Sequence, residues 1–137
     1  MERLFVDTNI APDLLQERKP QYLSAARLFT LGERKQVALY FSALGFTTLD
    51  YILKKDFTAA ESKVILSKFK MLVKVLPVTN KIIDLSLQSS LSDFEDAVQL
   101  FTAKQNKIKI IITRNTKDFR NVDLNAITAE AFLKTLS

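Results

Sequence analysis

The stretch Leu4-Phe5-Val6-Asp7-Thr8-Asn9 decides the fold class. Three consecutive apolar residues, followed at once by polar turn residues, predict a short buried strand. Similar short apolar runs recur at residues 37–41, 75–78, 108–113 and 126–127, with longer segments of helical periodicity between them. This alternation predicts an α/β fold, a three-layer α/β/α sandwich with a central parallel sheet of four to five strands.

The composition restricts both the domain organisation and the chemistry. The chain has 137 residues with only two Gly and three Pro and no linker-like stretch, so we expect a single domain over residues 1–137. Neither Cys nor His occurs. Thiol nucleophiles, Ser-His-Asp triads and zinc sites built from Cys or His are therefore excluded. Enzymatic chemistry must come from carboxylates, Lys, hydroxyls or a metal held by oxygen.

The charge balance is basic, with a net charge of +5. Two segments, 54–81 and 104–120, each contain five more basic than acidic residues. Such faces are often only solvated, but the excess favours a polyanionic partner such as RNA. No apolar stretch approaches the roughly 20 residues that span a bilayer, and the first residues do not resemble a signal peptide. We expect a soluble, cytoplasmic protein that does not contact membranes.

Local signals predict where helices begin. Asn9 is expected to cap the helix that follows the first strand. Thr58 and Glu61 have the spacing of a capping box, and Ser92 and Glu95 have the same spacing at the start of a later helix. These signals assign Glu95 a purely structural role.

Acidic residues lie at the edge where an open α/β sheet collects ligands. Asp7 ends the first strand, Asp118 follows the apolar run Ile110–Ile112, and Asp93 and Asp96 begin the helix before that run. Each acid alone could serve only a turn or a helix cap. Together they bring carboxylates from three segments to one end of the predicted sheet, and a hard divalent cation is the usual remedy for their repulsion. Mg²⁺ or Mn²⁺ there would suit phosphodiester hydrolysis.

Three motifs in this order resemble those of the PIN domain family, which includes the VapC toxins of toxin–antitoxin systems: Val6-Asp7-Thr8-Asn9, Ser92-Asp93-Phe94-Glu95-Asp96-Ala97 and Ile112-Thr113-Arg114-Asn115-Thr116-Lys117-Asp118-Phe119. The resemblance covers essentially the whole chain. It implies a parallel-sheet α/β/α fold and Mg²⁺- or Mn²⁺-dependent cleavage of RNA. It also implies that Asp7, Asp96 and Asp118 are catalytic and that these three, with Asp93, hold the metal.

The resemblance extends to substrate and partners. Polar residues beside the acids are expected to contact RNA: Asn9, Thr48, Thr113, Arg114, Asn115 and Lys117. A small antitoxin protein and a homodimer are the partners that the family implies.

One motif departs from the family pattern. PIN nucleases usually carry a Glu in the helix after the second strand, and the register of residues 46–53 puts Thr48 at that position. Asp50 comes two residues later, about 200° round an ideal helix, so it cannot simply substitute for the missing acid. Either the helix is shifted locally or the site keeps fewer acids. We therefore expect Thr48 to face the site and Asp50 to point away from it, and we expect the missing carboxylate to weaken metal binding.

Two alternatives to the endoribonuclease remain open. A PIN-like module that binds RNA or a protein without cutting is compatible with the missing acid. A phosphatase of the haloacid-dehalogenase type would use Asp7 as a phosphoaspartate nucleophile. That reaction also needs a later Lys and a downstream acidic pair, and Asp93 and Asp96 fit this pattern poorly.

Overall fold

A computed structural model describes residues 1–120 and 122–136, and its elements follow the predicted order. The strands are β1 (Glu2–Val6), β2 (Val37–Ser42), β3 (Lys74–Leu76), β4 (Ile110–Ile112) and β5 (Asn125–Ile127). The helices are α1 (Ile10–Leu15), α2 (Tyr22–Glu33), α3 (Ala43–Leu53), α4 (Ala59–Lys70), α5 (Asn80–Leu87), α6 (Phe94–Gln105) and α7 (Ala129–Lys134), with a 3-10 helix at Thr116–Phe119. Within the described ranges no helix is long and apolar enough to cross a membrane.

The five strands form one parallel sheet in the order β3-β2-β1-β4-β5, which confirms the predicted fold class. Strand β1 is central, and Phe5 pairs with Tyr40 on one side and Ile111 on the other. The chain adds β2 and β3 on one side of β1 and later adds β4 and β5 on the other. The strand order therefore reverses at β1, and ligands of open α/β sheets bind at the carboxyl ends of strands at such a point.

Alternate residues of β1 enter two separate cores, one on each face of the sheet. Leu4 and Val6 pack in a core that draws side chains from α1, α2, α3, α4 and α7. Phe5 packs in the other core with Leu100 of α6 and Ile111 of β4. Burying one such Leu, Ile or Phe side chain contributes about 1.5–3 kcal/mol. Helices thus cover both faces, as the three-layer prediction requires.

Helix α3 begins directly after β2 and lies close against it. The Ser42 hydroxyl oxygen caps α3 by accepting the N–H of Leu44 at 3.2 Å. Gly45 lies against the ring of Phe41, where a Cβ atom would clash. A glycine at this position therefore lets the first turn of α3 approach the carboxyl end of β2, beside β1.

The predicted cap of α6 is wrong by one residue. Asp93 caps the helix in place of Ser92, because its Oδ1 accepts the N–H of Asp96 at 2.9 Å. The capping-box role of Glu95 is lost with this shift. The side chain of Glu95 is therefore available to the site at the end of the sheet.

The predicted cap of α1 is also wrong. Asn9 has helical backbone angles, and within the described residues its side chain makes no capping bond. Its N–H instead lies 3.5 Å from Oδ1 of Asp7. The predicted capping box of Thr58 and Glu61 is confirmed at the start of α4.

Candidate active site

Asp7 lies at the carboxyl end of the central strand and is 2% exposed. Its N–H donates to the carbonyl oxygen of Ile112 at 2.9 Å, which continues the pairing of β1 with β4. Its Oδ2 accepts a hydrogen bond from the hydroxyl of the fully buried Thr113 at 2.7 Å. The Thr113 oxygen in turn accepts the N–H of Asn115 at 3.1 Å. The ends of β1 and β4 therefore fix the orientation of the Asp7 carboxylate.

Asp96 lies in the first turn of α6, and the negative charges of acids in the other motifs act on its pKa. Burial raises its pKa, and repulsion from neighbouring carboxylates raises it further, to about 7. In order of their effect these neighbours are Asp93, Asp7, Asp118 and Glu95. The structure thus brings acids of the other two motifs within electrostatic reach of Asp96.

The carboxylates are close enough to repel but not to form a ready-made metal cage. Among residues 1–120 and 122–136, no group of three acids is arranged so that it could hold one ion. A divalent charge beside Asp96 would relieve this repulsion, and Mg²⁺, which usually keeps several waters and takes only one or two carboxylates, does not require a cage of three acids.

The remaining predicted residues of this edge lie nearer the surface. Asp118 is an exposed residue of the 3-10 helix, and its N–H donates to the carbonyl oxygen of Asn115 at 3.0 Å. Asn115 and Lys117 are exposed beside it. Asp93 is exposed as well, and its carboxylate is occupied by capping α6.

Helix α3 lines a cavity beside α6 with Thr48 and turns its acid, Asp50, toward α4. Thr48 lines a cavity of about 220 Å³ together with Glu95 of α6. Asp50 faces α4, where its Oδ1 accepts the hydroxyl of Ser62 at 2.7 Å and its Oδ2 lies 3.0 Å from Nζ of Lys54. The hydrogen bond from Ser62 and the contacts with Lys54 lower the pKa of Asp50. The opposite directions of Thr48 and Asp50 follow from their spacing on the helix.

Sequence reasoning missed Glu95 and Gln99, which lie one turn apart on α6. Burial, and then repulsion from Asp7 and Asp93, raises the pKa of Glu95. Gln99 is 2% exposed, and its Oε1 accepts both the N–H of Thr8 at 2.9 Å and the Thr8 hydroxyl at 3.3 Å. An amide side chain within the apolar run of residues 97–103 is the signal that could have drawn attention to Gln99.

Asp13 of α1 is a second buried acid near Asp7, and it too escaped the sequence reasoning. It is 1% exposed, and its Oδ2 lies 3.4 Å from Nε of Arg114. Burial raises the pKa of Asp13, while the charges of Arg114 and Arg18 act in the opposite direction. Arg114, predicted to contact substrate, is therefore held by an ion pair that joins α1 to the segment after β4.

Basic side chains occupy the predicted surfaces. The lysines of α4 and β3 are exposed, as are two basic residues at the 3-10 helix that carries Asp118: Lys63, Lys68, Lys70, Lys74, Lys117 and Arg120. Their exposure leaves their charges accessible to a polyanion.

Comparison with known proteins agrees with this fold. A family model described as PIN domain matches residues 3–117. Ribonuclease VapC1 of Aquifex aeolicus (strain VF5) is 28% identical over an alignment of 139 positions. The alignment covers 96% of this chain and 93% of that protein.

Solved structures show the same architecture. VapBC2 from Rickettsia felis, bound to a DNA fragment from its promoter, is similar with a TM-score of 0.71 and 17% identity over 92% of this chain and 98% of that chain. A toxin–antitoxin complex from Klebsiella pneumoniae is similar with a TM-score of 0.66 and 24% identity, over 92% and 97% of the two chains. Because the family model spans most of its length, the chain belongs to the PIN domain family.

Proposed function

We propose that this chain is a metal-dependent endoribonuclease that cleaves RNA phosphodiester bonds and acts as the toxin of a toxin–antitoxin pair. The observation that carries the proposal is the electrostatic coupling of Asp96 to acids from all three motifs, within a chain that belongs to the PIN domain family. The name of the Aquifex aeolicus relative, a ribonuclease, supports the same activity.

The proposed metal residues are Asp7, Asp96 and Asp118, with Asp93 at the rim. When bound, Mg²⁺ or Mn²⁺ supplies charge neutralisation at the scissile phosphate and lowers the pKa of a water molecule. Asp7 is suited to a fixed position because the Thr113 hydroxyl holds one of its oxygens. Asp96 is suited to gain most from a cation, since four neighbouring carboxylates act on it.

The proposed substrate contacts surround these acids. Side chains of Asn9, Thr48, Asn115 and Lys117 can donate hydrogen bonds to RNA. Thr113, also predicted to contact RNA, is fully buried, and its hydroxyl donates to Asp7 instead. Arg114 offers guanidinium N–H groups beyond the Nε that faces Asp13. With a net charge of +5, we expect RNA affinity to fall as salt rises, because backbone contacts release condensed counterions.

A cleavage assay tests the activity directly. The purified protein is incubated with single-stranded RNA in Mg²⁺, in Mn²⁺ and in EDTA, and we expect cleavage only with a divalent metal. Asp7→Asn should lower the rate at least about 100-fold, since loss of an outer partner of a metal ligand alone costs about 10- to 100-fold. Asp84→Asn, an exposed acid of α5, is the matched control and should cut normally. Metal-independent cleavage would contradict the proposal.

A second candidate is a PIN module that binds RNA without cutting it. The observation in its favour is that, in the part of the chain that the structure describes, no three acids form a metal group. The motif resemblance, which puts Thr48 at the position of the family acid, supports the same candidate. Salt-dependent RNA binding without cleavage in either metal would select this candidate.

The proposed protein partner is an antitoxin, with a homodimer as the further association to test. The support is the fold shared with proteins solved as toxin–antitoxin complexes. Large apolar side chains are also exposed, including Tyr51 at 68% and Leu23 at 58%. Co-purification with a small protein encoded next to this gene, and the mass of the chain alone in solution, test the two associations.

A further inference from the structure

Basic side chains also gather at the amino end of the sheet, opposite the edge that carries the acids. Five of them come from the beginnings of β1, β3 and β4 and from the last turn of α6 and the turn after it. Together they form what we call the amino-end surface: Arg3, Lys74, Lys104, Lys107 and Lys109. All five residues are exposed, so a ligand in solution can reach them.

The strand register brings like charges of this surface side by side. Arg3 and Lys109 directly precede residues that are paired between β1 and β4, so they are neighbours on adjacent parallel strands. With Lys107 they line an open groove of about 400 Å³. Among the described residues that line this groove, Glu2 is the one acid. Like charges on adjacent strands, which lie about 4.8 Å apart, repel each other, and a bound anion would relieve the repulsion.

One aromatic ring holds two of these cations in place. The guanidinium carbon of Arg3 lies 5.3 Å from the centre of the Tyr40 ring, and Nζ of Lys74 lies 5.7 Å from it. Both distances are within the roughly 6 Å over which a ring attracts a cation. Nη2 of Arg3 also donates to the carbonyl oxygen of Asn106 at 2.5 Å. The two cations are therefore ordered before a ligand binds, which lowers the entropic cost of binding.

Carboxylates do not neutralise the amino-end surface. In the part of the chain that the structure describes, none of the five cations forms an ion pair. The carboxyl end of α6 accounts for some of them, because Arg3, Lys104 and Lys107 lie near the negative end of the helix dipole. It does not account for Lys74 and Lys109, which stand at the beginnings of strands. A polyanion would supply the missing negative charge.

The amino-end surface lies well away from the proposed catalytic acids. Arg3 precedes Asp7 by four positions along β1, which is roughly 13 Å at the rise of a strand. Helix α6 also joins the two ends, since Asp96 lies in its first turn and Lys104 in its last, and its 12 residues span about 18 Å. An RNA strand bound at the acids therefore reaches the amino-end surface only if it continues for several nucleotides.

We propose that the amino-end surface binds the phosphate backbone of the RNA outside the segment that is cut. Exposed Lys and Arg side chains bind phosphates irrespective of base, and a basic groove suits a single flexible strand better than a flat lipid surface. The proposal deepens the proposed function and rests on it, since it explains how the length of the substrate enters recognition.

Binding of RNA in EDTA tests the proposal without cleavage. The test variant combines Lys74→Gln with Lys109→Gln, since both residues are exposed and form no ion pair within the described ranges. The control combines Lys19→Gln with Arg27→Gln, which removes the same charge from exposed positions on α2 and the loop before it.

The salt dependence of binding gives the readout. For a single strand of about 30 nucleotides, we expect the test variant to bind about 10-fold more weakly at low salt than the control. The slope of log affinity against log salt should also fall by about 1.4, because each lost phosphate contact removes about 0.7. Equal slopes for the test variant and the control would overturn the proposal.

Substrate length gives a second readout in Mg²⁺. For the natural chain, KM should fall as the RNA is lengthened from about 5 to about 30 nucleotides, because longer strands reach the amino-end surface. The test variant should lose this dependence and keep its kcat, since the lost contacts lie outside the reacting segment. A test variant that retains the same dependence on length would overturn the proposal.

The two claims can fail separately. Cleavage in Mg²⁺ with the same salt slope in the test variant and the control would leave the nuclease standing and remove the amino-end site. A reduced slope without cleavage in any metal would retain that site and remove the nuclease. Unchanged RNA binding, with loss of binding to phosphatidylserine vesicles, would assign the surface to a membrane and overturn the proposal.

Discussion

Helices α3 and α6 both begin at the carboxyl end of the sheet, but only α6 has acidic residues in its first turn. Helix α6 is capped by Asp93 and carries Glu95 and Asp96 in its first turn. Helix α3 is capped by Ser42, has no acid in its first turn and presents Thr48 to the shared cavity. The carboxylates of the site thus come from α6 and the ends of β1 and β4, while α3 forms a neutral wall.

The difference shows that a carboxylate near a site is not automatically part of it. Asp50 of α3 and Asp96 of α6 follow the cap of their helix by eight and three residues. Ser62 and Lys54 stabilise the charged form of Asp50, whereas burial and like charges disfavour the charged form of Asp96. Of these two acids, only Asp96 would have its charged form stabilised by a nearby cation.

Exchanging an acid for an amide on each helix should give the largest contrast. Asp96→Asn removes the most strongly perturbed carboxylate and should lower the RNA cleavage rate at least about 100-fold in saturating Mg²⁺. Asp50→Asn should leave the rate within about twofold, because Asp50 faces α4. Initial rates on one RNA, with both variants checked for folding by circular dichroism, make the comparison. Equal losses in the two variants would mean that α3 belongs to the acidic wall after all.

The effect of pH on the free energy of unfolding should reveal the raised pKa of Asp96 without any substrate. The folded chain holds the proton of Asp96 more tightly than the unfolded chain, with a pKa of about 7 against a usual 3.8. This contribution to stability is complete below pH about 4 and is lost as the pH rises through about 7. In EDTA, Asp96→Asn should therefore be more stable than the natural chain at neutral pH, and the gain should vanish near pH 4.

Urea unfolding at the two pH values measures this difference. A stability gain that does not change with pH would show that the substitution acts through packing and not through the charge of Asp96. Saturating Mg²⁺ should reduce the gain at neutral pH, because the ion stabilises the natural chain by binding its folded state.

Placing an acid on the neutral wall is the next smaller change. Thr48→Glu introduces a carboxylate at the position where the motif resemblance predicts the family acid, and it should tighten Mn²⁺ binding about 10-fold and raise the cleavage rate. Calorimetric titration with Mn²⁺ measures the affinity. Thr48→Gln has the same size without the charge and should not tighten binding. Equal affinities for the Glu and Gln variants would show that position 48 does not face the ion.

The smallest expected effect concerns the acid that faces α4. The lowered pKa of Asp50 means that its contribution to stability is present at neutral pH and is lost as the pH falls through its folded pKa. Asp50→Ala should lower the melting temperature slightly at neutral pH and not at acidic pH, opposite in sign to the Asp96 variant. Lys54→Gln removes only the ion pair and should have a smaller effect, since the Ser62 hydrogen bond is kept. A larger loss in Lys54→Gln would contradict this order.

The order of elements could be predicted from the sequence because it depends on local patterns. Residues such as Leu4, Phe5 and Val6 must alternate between two cores in a parallel sheet, and short apolar runs report this directly. The motif register also predicted that Asp50 points away from the other acids, and its contacts with Ser62 and Lys54 agree with that direction.

The incorrect or missing predictions have two causes: two neighbouring residues were equally good helix caps, or the side chain's partner lies far away along the chain. Ser92 and Asp93 are equally good caps, and only the folded context selects Asp93, so the role of Glu95 could not be predicted. Gln99 owes its orientation to Thr8, which lies 91 residues away along the chain. Asp13 is likewise paired across the fold with Arg114. Local patterns carry no information on such partners.

The two edges of the sheet determine how another protein can bind this chain. Strands β3 and β5 have three residues each, β3 begins with Lys74, and Pro77 follows it directly. Both edges are short, and the β3 edge also has a Lys and a following Pro, so both offer few free backbone groups for the addition of a strand from another molecule. Strand addition is therefore disfavoured, and we expect a protein partner to dock mainly through side chains, where recognition depends on pockets and charges and not on backbone pairing.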